Sequence, residues 1–174
     1  MRILRLLAWA ALLALIGLAA ASYGQLPAEI PAHIGLGGEV TRTSPKSIHG
    51  WFALPLIALA VHLLIEGVGL MLPSRPHWFN FPEKARFLAL PKASQAPVIE
   101  EMRTLLDITL LGTNGLMLVI QYHLWRIALG DRSDGVLLAV AIVPVFLTPA
   151  ILFWLTRVTA ALEREEARLK SGGA

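Results

Sequence analysis

The 174-residue chain contains no cysteine, which excludes disulfide staples, thiolate metal sites and cysteine nucleophiles. Charge is scarce: 16% of the residues are Asp, Glu, Lys or Arg, against about 25% in ordinary soluble domains. That shortage excludes a disordered polyelectrolyte and a soluble α/β enzyme. No serine stands in a G-x-S-x-G context, and there is no H-E-x-x-H pair. Gly35-Leu36-Gly37-Gly38 lacks the flanking strand and helix that a phosphate-binding loop needs. No catalytic residue, resident metal or cofactor is therefore expected, and the chain reads as a non-enzyme. There is no internal repeat.

What the chain has instead is apolar length. Hydrophobic residues make up 56% and the mean hydropathy is +0.64. They concentrate in residues 3–21, 51–72, 104–125 and 136–155, each roughly the 20 residues that cross about 30 Å of hydrocarbon. The expected fold is a single all-α integral membrane domain, a four-helix antiparallel bundle embedded in a lipid bilayer.

Orientation follows from Lys and Arg in the short loops. Arg2 and Arg5, then Arg75, Lys84, Arg86, Lys92 and Arg103, then Arg157, Arg164, Arg168 and Lys170 give 2+5+4 = 11 on one side. Arg42, Lys46, Arg126 and Arg132 give 4 on the other. Both termini, the loop 73–103 and the tail 157–174 are expected in the cytoplasm, and the loop 22–50 outside. This is the multi-pass pattern of a bacterial cytoplasmic (inner) membrane protein. The net charge of +3 is then explained without a nucleic-acid partner. The small residues Ala19-Ala20-Ala21-Ser22 also fit a signal-peptide cleavage site. The long apolar run favours an uncleaved first helix.

The external loop carries Pro27, Pro31 and Pro45 with Gly35, Gly37 and Gly38, which predicts ordered but irregular backbone. Leu26, Ile30 and Ile34 should anchor it to the helix ends. Pro55 is expected near the first turn of the second helix, and Pro144 and Pro149 should bend the fourth. In the cytoplasmic loop a short helix over 82–90, capped by Asn80, suits the headgroup region. Pro97 should open the third helix early, and Glu166 and Lys170 form an i,i+4 pair in the tail.

Leu26-Pro27-x-x-Ile30-Pro31-x-His33, followed by Gly38 and Lys46, resembles the signature of a membrane family called domain of unknown function 1648. The same module forms the N-terminal part of Sdp-type immunity and signalling proteins. Asn80-x-Pro82-x-Lys84 looks like that family's loop motif. Ile34 stands where the family often has an aromatic residue, and Thr41 and Thr43 where it often has an acidic and an aromatic one. The resemblance covers roughly residues 20–90 and implies a membrane-helix fold. The longer Sdp-type proteins have further helices that this chain lacks.

The polar residues within the spans are the sharpest functional signal, because an ionisable group in hydrocarbon costs at least a few kcal/mol and seeks a partner. His62 and Glu66 share one face of the second helix, and Asp107, Asn114, Gln121 and His123 lie on the third. A buried cluster of His62, Glu66, Asp107 and Asn114 serves either as a proton or cation relay or as glue between helices. His33 and His49, with Glu29 and Glu39, offer imidazole and carboxylate to a metal, but without a paired motif. His33 is better read as a hydrogen-bonding pin for the loop. Two functions follow. The first is a binding, sensing or immunity-like accessory module that recognises a peptide, a lipid or another membrane protein. The alternative is a small transporter or channel component, which four helices can form only as a homo-oligomer or with a larger partner.

Overall fold

The computed structural model describes residues 2–35, 39–80, 83–131 and 134–172. Four long helices dominate: α1 (Arg2–Tyr23), α2 (Ile48–Met71), α4 (Lys92–Ala128) and α5 (Asp134–Ser171), with a short α3 (Lys84–Ala89) between α2 and α4. Among the described residues, Ile3–Tyr23, Ile48–Met71 and Lys92–Ala128 are each long and apolar enough to cross a membrane. At 1.5 Å per residue the 37 residues of α4 reach about 56 Å, so α4 outruns a bilayer core of about 30 Å. Both α4 and α5 extend the 104–125 and 136–155 spans in one unbroken helix, and Pro97 sits inside α4 instead of opening it. The helix α5 also continues through Pro144 and Pro149.

The helix directions follow from cross-contacts. Trp9 meets His62 and Trp51 meets Ala19, so α1 and α2 run antiparallel. Arg5 reaches Asp107 and Ala8 reaches Asn114, so α1 and α4 run parallel. Arg157 pairs with Glu101, and Leu147 abuts Gly112, making α4 and α5 antiparallel. The helix α4 is the hub, packing on α1, α2 and α5.

The segment 22–50 departs from the irregular loop that its prolines suggest. It forms an antiparallel hairpin, β1 (Glu29–Ile34) with β2 (Val40–Pro45), whose register is interrupted at Pro31/His33 and His33/Ile34. The physical reason is that a residue before proline is driven to extended backbone. The β-branched Ile30, Ile34, Val40, Thr41 and Thr43 favour the same region. Leu26 and Ile30 are buried with Ala19 and Trp51 at the hairpin end of the bundle. Lys46 donates from Nζ to the Leu26 carbonyl at 3.1 Å and lies over the Tyr23 ring. Ser47 caps α2 by accepting from the Gly50 N–H. That earlier start leaves Pro55 in the second turn and beyond, buried in the helix interior, not in its first turn.

At the opposite end a second core forms from Leu72, Phe87, Leu90, Val98, Ile99, Met102, Val158, Ala161 and Leu162. Burying Phe87 there is worth about 1.5–3 kcal/mol, so α3 docks on α4 and α5. Asn80 does not cap it. Glu83 occupies the cap position with φ 56°, in the left-handed region, and makes no side-chain cap bond. Lys84 donates instead to the His77 carbonyl at 2.7 Å. Glu166, expected to pair along its own helix, is gripped by Arg86 at 2.7 and 3.0 Å. The guanidinium holds the Glu166 carboxyl below the usual carboxylate range. A lowered folded-state pKa means that the pair stabilises the docked form above the unfolded-state value, about 4.3. That contribution is lost as pH falls through the lower folded-state value. Amide exchange in α3 is therefore expected to quicken below about pH 4, and Arg86→Ala should abolish the pH step. An unchanged step in Arg86→Ala would assign it to another group.

Candidate functional site

Two polar arrangements sit within the bundle. The first contains all four residues singled out in the spans, but it divides into two units. On α4, Asp107, Asn114 and Gln121 recur every seven residues and share one face. Asn114 donates from Nδ2 to the Ala8 carbonyl at 3.0 Å and lies 2.8 Å from His62 Nδ1. The Ala8 oxygen accepts only, so the amide nitrogen must face it. Its second hydrogen then goes to His62 Nδ1, which accepts. That places the imidazole hydrogen on Nε2 and leaves the ring neutral. The His62 side chain is fully buried, with the Trp9 ring 4.1 Å away between centroids.

The second unit lies about a turn away along the helices. Arg5 Nε is 3.4 Å from both a Glu66 and an Asp107 carboxylate oxygen. Sequence reasoning missed Arg5, counting it only toward orientation. The signal was present, because Arg5, Ala8 and Trp9 are spaced i, i+3, i+4 and form one stripe of α1. A cation on that stripe meets the acidic faces of α2 and α4. Beside this unit, Arg103 donates from Nε to the Gly69 carbonyl at 3.0 Å.

The second arrangement is a cleft of about 530 Å³ under the hairpin. Pro31, His33 and Ile34 of β1 form one wall, Leu54 and Ile57 of α2 another, and Gln121 of α4 lies within the lining. The His33 ring hydrogen-bonds within the loop, to a side chain and not to the backbone. Its Nδ1 lies 2.6 Å from Thr41 Oγ1 across the hairpin. Gln121 is 1% exposed, and neither its Nε2 nor its Oε1 has a hydrogen-bond partner among the described residues. Such an orphaned amide costs about 1–3 kcal/mol. Its heptad spacing from Asn114 was the sequence signal for it.

Of the loop motif, Leu26, Ile30 and Lys46 fasten the hairpin, and Pro27 and Pro31 shape it. Gly38, and Pro82 of the second motif, lie outside the described residues. No three His, Asp or Glu side chains converge as metal ligands among the described residues.

No curated protein and no solved structure matches the chain. One family model does, over residues 10–59. That stretch holds most of α1, the whole hairpin and the first half of α2, together with the Leu26–Lys46 signature. Residues 10–59 of this chain match the model of a domain of unknown function, DUF1648.

Proposed function

We propose that the protein is a non-enzymatic, multi-pass binding or accessory module of a bacterial inner membrane. In this reading α5 supplies a fourth crossing, both termini face the cytoplasm, and the hairpin lies outside. Recognition takes place in the cleft beneath the hairpin. The observation that carries this reading is Gln121, an amide buried in apolar surroundings with neither end paired among the described residues, lining an apolar cleft large enough for part of an amphiphile or an apolar segment of a partner. A ligand with an apolar body and one group that donates or accepts a hydrogen bond meets both features. The other polar arrangement supports binding over conduction, since Arg5 is shared by both carboxylates.

The cysteine-free sequence makes the test direct. A photoactivatable maleimide attached to a single cysteine at Ala32 or Leu54 should give a discrete adduct in native membranes. The same probe at Leu63, which is 54% exposed on α2, should give only diffuse lipid labelling. Gln121→Leu should reduce the Ala32 adduct severalfold. The same discrete adduct at Leu63, or an adduct indifferent to Gln121→Leu, would remove the cleft from recognition. For orientation, a cysteine at Thr41 should react with a membrane-impermeant maleimide in intact cells. Reaction only after the cells are broken would invert the assignment.

A further inference from the structure

At the end of the bundle opposite the hairpin, a cleft of about 510 Å³ opens between α1 and α4. A second, of about 790 Å³, adjoins it beside residues 73–77. Glu100 and Arg103 line both. They stand i,i+3 on α4, the spacing at which opposite charges ordinarily pair, yet no ion pair joins them. Arg103 is fixed at Nε by the Gly69 carbonyl, and its two Nη groups have no partner among the described residues. The Glu100 carboxylate has none either. A fixed cation with its fork open thus sits beside an unpaired anion.

Two more observations define what fits between them. Formal charges around the two adjoining clefts are Arg5, Lys92 and Arg103 against Glu66, Glu100 and Asp107, which balance. A purely anionic occupant would upset that balance, whereas a zwitterion keeps it and pairs both free groups. The other walls, Leu6 and Trp9, are apolar, and Leu6 is 67% exposed. They continue the cleft along the outside of α1, where acyl chains run. The cleft is lined by the first two turns of α1 and by residues 100–107 of α4, and the Gly69 carbonyl that holds Arg103 is near the end of α2.

We propose that this cleft is a lipid site for a zwitterionic phospholipid with a primary ammonium group. The phosphate sits on the open Arg103 fork, which matches phosphate oxygens in two-point geometry. The ammonium donates to Glu100, and one acyl chain lies along Leu6 and Trp9. A quaternary ammonium has no N–H to give Glu100, so methylation of the headgroup weakens binding.

The test uses the full chain in lipid-free detergent micelles, titrated with phosphatidylethanolamine, phosphatidylcholine or phosphatidylglycerol of identical acyl chains. Binding is read from tryptophan fluorescence and the thermal midpoint. Phosphatidylethanolamine is expected to bind at least tenfold more tightly than the other two, and soluble phosphoethanolamine at the same concentration to shift nothing. Glu100→Gln should erase the preference for ethanolamine over choline while leaving the lipid-free midpoint unchanged, because that carboxylate holds no other residue. Arg103→Gln should weaken all three lipids. Should it fail to fold for want of the Gly69 bond, Glu100→Gln decides alone. Equal binding of phosphatidylcholine, tighter binding of phosphatidylglycerol, an equal effect of free phosphoethanolamine, or an ethanolamine preference surviving Glu100→Gln would each overturn the assignment.

Discussion

Arg5→Ala is expected to lower stability by about 2–3 kcal/mol, read as a drop in the thermal midpoint of the detergent-solubilised protein. Breaking a buried ion pair from one side costs about 3–5 kcal/mol, because the remaining charge has lost its partner. The lower range applies because the Arg5 side chain is 40% exposed, whereas Asp107 is only 6% exposed. The loss thus falls on carboxylates that solvent barely reaches. Combining Arg5→Ala with Asp107→Asn and Glu66→Gln removes the stranded charges, so the triple variant should recover at least half of the loss. A triple variant less stable than Arg5→Ala would show that the carboxylates hold the helices through other contacts.

Asn114→Leu is expected to cost about 3 kcal/mol. It deletes the bonds to Ala8 and His62, and a buried nitrogen left without its donor costs about 1–3 kcal/mol beyond the bond itself. The double variant Asn114→Leu with His62→Leu replaces both partners by apolar groups and should be more stable than Asn114→Leu alone. Additive losses would mean that Asn114 and His62 act independently, against the 2.8 Å contact. In the same core, Gly112→Val should cost about 1–3 kcal/mol by overpacking, since a Cβ at Gly112 would come within 2.6 Å of Leu147.

Much of this architecture was legible in the residues. Hydropathy located the long helices because a bilayer-length apolar run has few other uses. The i,i+4 pair His62/Glu66 and the seven-residue spacing of Asp107 and Asn114 put these residues on shared helix faces, but spacing did not show that they divide into an Asn114–His62 pair and an Arg5–Glu66–Asp107 unit. The Leu26–Lys46 signature located the family match. The hairpin was missed because proline and glycine punctuation describes turns, while strand pairing depends on long-range register. The cap of α3 was missed for a related reason. Asn80 is an excellent capping residue, but burial of Phe87 fixes where that helix starts. Arg5 was hidden by a real ambiguity: an arginine at a helix end serves topology and pairing alike, and sequence spacing within α1 names no partner on α4.

The parallel pairing of α1 with α4 has a consequence for the order of synthesis. Arg5 meets Asp107 across 102 residues of chain, and Ala8 meets Asn114 across 106. At roughly 5–20 residues per second, α1 emerges about 5–20 s before the helix that completes its polar contacts. In that interval Arg5 has only Glu66 to turn to, and His62 has no amide to bond. The first helices must therefore wait in the membrane, or in the insertion machinery, as an unfinished pair. A ribosome stalled before residue 107 would leave that pair open, and one stalled after the full length of α4 would leave it closed.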